Sequence, residues 1–251
     1  YPDNYTYKYP KVGEEISTVS IFSYNLAAKS NALIDCGENY NEYFPRMMWT
    51  QNASQLCITK LNRLQNKLDL FIADMDSAVN MSGSNLRLQA PYTVTAKNIF
   101  SEVNDRYIDI NNDLTFFNHN QNFLWSSSAD GYHHLYIYNI KGELVKQVTN
   151  GKWDVTNFYG IDEKTNTIYF QSAEVSPLER YVYSIRTDGT DKKQLTTEIG
   201  TNDASFVKGF LYFMNSNSDA NHPPSYSLCS NDGKVVRLLE DNKSLNQNLQ
   251  S

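Results

Sequence analysis

The stretch Phe123-Leu-Trp-Ser-Ser-Ser128, Asp130-Gly131, His133-His-Leu-Tyr-Ile-Tyr138, Lys141-Gly142, Leu144-Val-Lys-Gln-Val-Thr149, running on through Trp153 to Tyr159, decides the fold. Short apolar or aromatic runs are separated by turn dipeptides. Asp-Gly between alternating runs signals a hairpin, because a tight turn needs positive φ and Gly supplies it without a Cβ clash. The stretch reads as a β-meander of roughly 40 residues, and the chain repeats it. Leu144–Thr149 recurs as Asp191-Lys-Lys-Gln-Leu-Thr196. Before each copy lies a strand ending in a turn, Tyr136–Gly142 and Tyr181–Gly189. A more degenerate third copy comprises Phe210–Met214, Tyr226–Ser230, Asn231-Asp-Gly233 and Val235–Leu239. Four strands per repeat is the pattern of propeller blades, which stack because one such sheet cannot bury both faces alone. A β-sandwich also has many short strands, but the repeated turn followed by Gln-x-Thr favours the propeller.

Composition bounds the rest. The 251 residues suffice for one large all-β domain or two small ones. The 18 Tyr and 12 Phe suit half-buried pleated surfaces. Net charge is −6, and the Lys and Arg are scattered, which argues against a nucleic-acid partner. No apolar run approaches the ~18–20 residues that span a bilayer. Cys36, Cys57 and Cys229 are odd in number with no Cys-x-x-Cys spacing, so neither a zinc site nor a full disulfide framework is expected. At most one pair could form, and buried or free thiols are the simpler expectation. The chain opens at Tyr1 without an initiator Met or a charged-then-apolar leader, so it reads as an excised piece. Asn4, Asn52, Asn80 and Asn242 lie in Asn-x-Ser/Thr sequons, which carry little weight in so Asn-rich a chain.

Taken in order, residues 1–16 alternate aromatic and polar with Pro at two places, which predicts an edge arm. Residues 17–38 hold two strands, Thr18–Asn25 and Ala32–Cys36, the outer half of a blade. Residues 43–89 form a blade of Phe44–Thr50, Gln55–Leu61, Lys67–Ala73 and Leu86–Gln89, with a hairpin turn at Arg63–Lys67. Residues 90–111 break the rhythm and read as a crossing segment that could hold a helical turn. Three further blades follow at 113–149, 154–196 and 203–240. At 241–251 strand character is lost; Leu245 and Leu249 are four apart behind Asp241, Asn242 and Ser244, so a short helix or linker starts there. The total is about four and a half blades, which fits half of a larger ring.

These residues carry a family likeness. Asp130-Gly-Tyr-His-His-Leu-Tyr136, Gly151-Lys-Trp-Asp-Val-Thr-Asn-Phe-Tyr-Gly160 and Glu174-Val-Ser-Pro-Leu-Glu-Arg-Tyr-Val-Tyr183 resemble the propeller of the dipeptidyl peptidase IV family. Tyr9-Pro-Lys-Val-Gly13 and Leu239–Leu249 resemble it in the same order, so the likeness covers nearly the whole chain. Ser128 departs from it, standing where such proteins often carry Glu. The resemblance implies an eight-bladed propeller followed by an α/β-hydrolase domain, together a serine exopeptidase releasing dipeptides with Pro or Ala second. It implies no cofactor and no metal, an exported or periplasmic setting, and a homodimer. The Asn-rich character suggests a bacterial member.

The chemistry of such an enzyme should lie elsewhere. A nucleophile elbow needs Gly-x-Ser-x-Gly, and the chain has none; Gly83-Ser84-Asn85 lacks the flanking glycines in register. His119, His133, His134 and His222 have no elbow to serve, and His134 reads as a packed strand residue, so no hydrolysis is expected of this chain alone. The family's acidic pair, which holds the substrate amino terminus, precedes its Tyr-Pro-Lys segment. Glu14 and Glu15 follow that segment here and read as surface charges. Some relatives line the extended peptide pocket with an Arg-Phe-Arg stretch; Arg106 and Tyr107 stand near that place and are the candidate peptide-contacting residues, against a plain crossing-loop role. The resemblance places a dimer arm at the start of this chain, which makes Tyr5, Tyr7 and Tyr9 candidate interface anchors. The expected partners are thus the chain's own hydrolase domain, a peptide and a second copy. A stand-alone propeller acting as a binding module is the competing reading. Terminal blades lacking neighbours would expose sheet faces and self-associate.

Overall fold

The computed structural model describes residues 6, 10–76, 92–110 and 112–249. Tyr5, Tyr7 and Tyr9, the strand expected at Leu86–Gln89, and Gly83-Ser84-Asn85 lie outside the described residues. The chain divides into two compact units, Tyr1–Ile110 and Asn111–Ser251.

The first unit holds seven described strands: β1 (Ile21–Asn25), β2 (Ser30–Asp35), β3 (Glu42–Trp49), β4 (Gln55–Asn62), β5 (Lys67–Asp74), β6 (Tyr92–Thr95) and β7 (Lys97–Val103). They make a three-stranded sheet, β1-β2-β6, and a four-stranded sheet, β3-β4-β5-β7. This corrects the sequence reading twice. Residues 90–111 are not a bare crossing: β7 pairs with β5 as the fourth strand of the second sheet. The presumed half blade gains β6, which runs parallel to β2 from Ala32↔Tyr92 to Asp35↔Thr95. The physical reason lies in Thr93-Val-Thr-Ala96. Its period of two buries Val94 and Ala96 while Thr93 and Thr95 stay exposed. Val94 and Ala96 join Ile34, Leu56, Ile58 and Ala73 in the core between the two sheets.

The second unit has three antiparallel four-stranded sheets, each in simple meander order. The first is β8 (Thr115–Phe117), β9 (Asn122–Ser127), β10 (His134–Asn139) and β11 (Leu144–Gln147). The second is β12 (Val155–Asp162), β13 (Thr167–Ser172), β14 (Tyr181–Arg186) and β15 (Lys193–Gln194). The third is β16 (Thr201–Phe206), β17 (Tyr212–Ser218), β18 (Ser225–Ser230) and β19 (Val235–Glu240), followed by α1 (Lys243–Leu249).

The second sheet is a filled wedge. Ile168, Phe170, Tyr181, Tyr183 and Ile185 face Leu124, Leu135 and Ile137 of the first sheet. Their alternates Tyr169 and Val182 face Phe213, Ala204 and Cys229 of the third. Both pleat faces are therefore apolar at mid-strand, which is why Ile168-Tyr-Phe170 of β13 and Tyr181-Val-Tyr183 of β14 are continuous hydrophobic runs. Each such side chain contributes about 1.5–3 kcal/mol on burial. In β17, by contrast, Phe213 and Asn215 are buried while Tyr212 and Met214 are exposed, so the third sheet is covered on one face only within this unit.

The repeated Gln-x-Thr ending has a defined job. Thr149 Oγ1 accepts the Leu135 N–H at 3.0 Å, and Thr196 Oγ1 accepts the Val182 N–H at 3.0 Å. A threonine hydroxyl thus continues the ladder where the outer strand ends. The Asp130-Gly131 turn is longer than a two-residue hairpin. Ser127 pairs with His134, leaving residues 128–133 as the loop. Asp130 is drawn off by Gln147, whose Nε2 donates to its carboxylate at 2.7 Å. Lys141-Gly142 is a tight turn, with the Gly142 N–H on the Asn139 carbonyl at 2.9 Å and φ +82°.

Candidate functional site

In the second unit one end of each sheet is built alike. The residue opening the third strand of each meander follows a loop, 128–133, 173–180 or 219–224. The residue before that strand passes its carbonyl to the next sheet. Val155 N–H donates to the His133 carbonyl at 2.8 Å, and Asn202 N–H to the Arg180 carbonyl at 2.9 Å. The reverse donors are also engaged: His133 N–H goes to Asp154 Oδ1 at 2.7 Å and Arg180 N–H to the Gly200 carbonyl at 3.0 Å. The third residue of the series is Pro224, which has no N–H to satisfy. Its carbonyl accepts Asn242 Nδ2 at 2.6 Å, from the residue immediately before α1. The series ends there.

His134 sits at this end, fully buried. Its Nδ1 lies 3.0 Å from Thr149 Oγ1 and its Nε2 3.0 Å from the Gly151 carbonyl. Because the carbonyl can only accept, Nε2 carries the proton and Nδ1 accepts from the threonine. The ring meets Trp153 edge-on, centroids 4.9 Å apart. Lys192 Nζ lies 5.1 Å from the Trp153 ring and 2.7 Å from Glu174. Burial, with Glu174 adding to it, pushes the nearby Tyr183 hydroxyl up to about 12.

One grouping was not foreseen from sequence. Ser128 Oγ is 3.4 Å from His133 Nδ1, and His133 Nε2 is 3.9 Å from Asp113 Oδ2. Ser126 Oγ donates to the same Asp113 oxygen at 2.6 Å. The residue types are those of a hydrolytic triad, but the spacings are loose and Ser128 lies on a loop, not on a strand-to-helix elbow. The cluster braces the 128–133 loop. His222 braces the 219–224 loop through Asp219, 2.8 Å away, and that hydrogen bond holds the Asp219 carboxyl below its usual range. Among the described residues no group of three or more His, Cys, Asp or Glu is placed to hold a metal ion. Cys36, Cys57 and Cys229 are all buried free thiols.

In the first unit, Arg106 and Tyr107 follow β7 at its Lys67–Val103 end. Asn104 Oδ1 accepts the N–H of Arg106 at 2.9 Å and of Tyr107 at 3.4 Å. Ile108 is buried, and its N–H donates to the Gln65 carbonyl at 2.8 Å. The turn is thus fixed at both ends and presents both candidate side chains to solvent. Glu14 and Glu15 are exposed; Glu14 accepts the Lys11 N–H at 2.9 Å, and Glu15 lies 3.4 Å from the Tyr40 hydroxyl.

Meanders of four strands, stacked face to face and joined at one end, are propeller blades, and this chain is a β-propeller fragment. It belongs to the family described as the dipeptidyl peptidase IV (DPP IV) N-terminal region, whose model matches residues 1–224. The crystal structure of Porphyromonas gingivalis dipeptidyl peptidase 4 is 37% identical, with a TM-score of 0.85 over 100% of this chain and 33% of that one. A putative dipeptidyl aminopeptidase IV from Bacteroides ovatus shares the fold at 19% identity and a TM-score of 0.76, over 93% of this chain and 34% of its own. A probable dipeptidyl-aminopeptidase B of Phaeosphaeria nodorum is 25% identical over 100% of this chain and 28% of its length. The chain therefore spans about a third or less of these relatives.

Proposed function

We propose that this chain is the second half of the propeller of an exported, bacterial, serine-type dipeptidyl peptidase that releases Xaa-Pro and Xaa-Ala dipeptides. The observation carrying this reading is the 37% identity to a dipeptidyl peptidase 4 along the full length of the chain. The chain contributes no nucleophile. Its blades gate access to the hydrolase domain and shape the peptide pocket, with Arg106 and Tyr107 touching residues beyond the released dipeptide. The enzyme is a homodimer, and residues 1–16 with Tyr5, Tyr7 and Tyr9 form its arm. The full-length protein should cleave a Gly-Pro chromogenic amide, and the 251-residue chain should not. R106A and Y107A should raise KM for peptides of four or more residues and leave the Gly-Pro amide unchanged. Full-length protein inert toward proline dipeptides would defeat the reading.

A further inference from the structure

Asn150-Gly151, on the connection from β11 to β12, is the one Asn-Gly pair in the sequence. Asparagine is thermolabile, because the main-chain nitrogen that follows it can attack its side-chain carbonyl carbon. A following glycine has no Cβ and leaves that approach open. Both residues are exposed to water. Neither the Asn150 carboxamide nor the Gly151 N–H has a hydrogen-bond partner among the described residues. The three Asp-Gly pairs of the chain are tied at both points. Asp130 accepts the Tyr132 N–H at 3.2 Å, and the Gly131 N–H donates to the Ser128 carbonyl at 3.0 Å. Asp188 accepts the Thr190 N–H at 2.9 Å, and the Gly189 N–H donates to the Arg186 carbonyl at 2.8 Å. Asp232 accepts the Lys234 N–H at 3.3 Å, and the Gly233 N–H donates to the Ser230 carbonyl at 2.9 Å. A tied N–H is hindered from attacking, so those turns are protected and Asn150 is not. Its two neighbours are held on one buried ring: His134 Nδ1 lies 3.0 Å from Thr149 Oγ1 and Nε2 3.0 Å from the Gly151 carbonyl. The glycine itself is required, since φ is +140° and a Cβ would collide with the Trp153 indole.

We infer that Asn150 is a site of spontaneous covalent modification, and that its iso-linked product releases one side of His134. In the first step the Gly151 nitrogen gives its proton to hydroxide and bonds to Asn150 Cγ. The Cγ–Nδ2 bond breaks, and Nδ2 takes a proton from water and leaves as ammonia. Water then opens the five-membered imide. Attack at Cγ breaks the new bond and gives an ordinary aspartate. Attack at the main-chain carbonyl carbon breaks its bond to the Gly151 nitrogen and gives isoaspartate. The chain then runs through Cβ and Cγ, which inserts one atom between Thr149 and Gly151. His134 spans those two fixed points, so the longer path forces one of its two hydrogen bonds to be given up.

The test ages full-length protein at physiological temperature and mildly alkaline pH. Peptides are then mapped by mass after digestion at acidic pH, where conversion is slow, and isoaspartate is read by enzymatic methylation of its carboxyl group. Asn150 should convert at least about tenfold faster than any other asparagine, because it alone precedes glycine. The rate should rise with pH. Hydrogen exchange of the segment His134–Asn139 should be at least about tenfold faster in aged than in fresh protein. Asn150→Gln should keep the fresh exchange rate after the same ageing. Fresh Asn150→Asp, which carries the charge without the inserted atom, should match fresh wild type. Asn150 left intact, or converting no faster than other asparagines, would overturn the site. Unaltered exchange in aged protein, equal acceleration in aged Asn150→Gln, or fresh Asn150→Asp already exchanging as fast as aged wild type, would overturn the release of His134.

Discussion

At the scale of single residues, Thr149 and Thr196 show how a repeated letter becomes a physical part. Each hydroxyl accepts a buried N–H that no strand supplies with a partner. Replacing either with Val keeps the shape and strands that donor, which costs about 1–3 kcal/mol. T149V should lie at the upper end, because the same hydroxyl also holds His134, and urea denaturation of the two variants will show the order. The cysteines make a second case. Burial, then the neighbouring Cys36, pushes the Cys57 thiol up to about 12, and burial pushes Cys36 up to about 11. A raised folded value means the unfolded state ionises first. Stability is therefore whole below pH 9 and falls between pH 9 and 12. C57A should flatten that fall, measured as denaturation midpoints across the range. Midpoints that decline equally in both proteins would count against the assignment.

At the scale of elements, the repeat of roughly 40–50 residues was legible because each meander closes on the same turn and Gln-x-Thr ending, whose Thr149 and Thr196 do the same job in consecutive sheets. Strand β6 was not legible. Four residues pairing in parallel with a strand some 60 positions earlier leave only the Thr-Val-Thr-Ala alternation as a trace. The grouping of Ser128, His133 and Asp113 was equally hidden, since the loop from 128 to 133 is wider than its Asp-Gly suggests. Gly160 shows what a bulge can do. It sits at a register shift in β12 with φ +139°, and a Cβ there would lie 2.6 Å from Phe210 Cζ. Phe210 stacks on Tyr169, centroids 5.2 Å apart, so it has little room to yield. G160A should cost about 2 kcal/mol or more through overpacking and strain. A loss under half of that in chemical denaturation would mean the ring moves freely.

At the scale of the whole molecule, the third sheet of the second unit has Tyr212 and Met214 exposed beside Phe213 and Asn215, which are buried. A sheet face of this kind is suited to another blade. The 251-residue chain should therefore self-associate, and M214K should shift it toward monomer in light scattering. A monodisperse unsubstituted monomer at high concentration would contradict this. Trp153 has a separate consequence. Its indole lies among His134 of the first sheet, Phe170 of the second and Lys192 just before β15. An indole whose surroundings belong to two different wedges is a natural optical gauge of the seam between them. Opening that seam would hydrate the ring and move its fluorescence to longer wavelength, before any loss of strand dichroism.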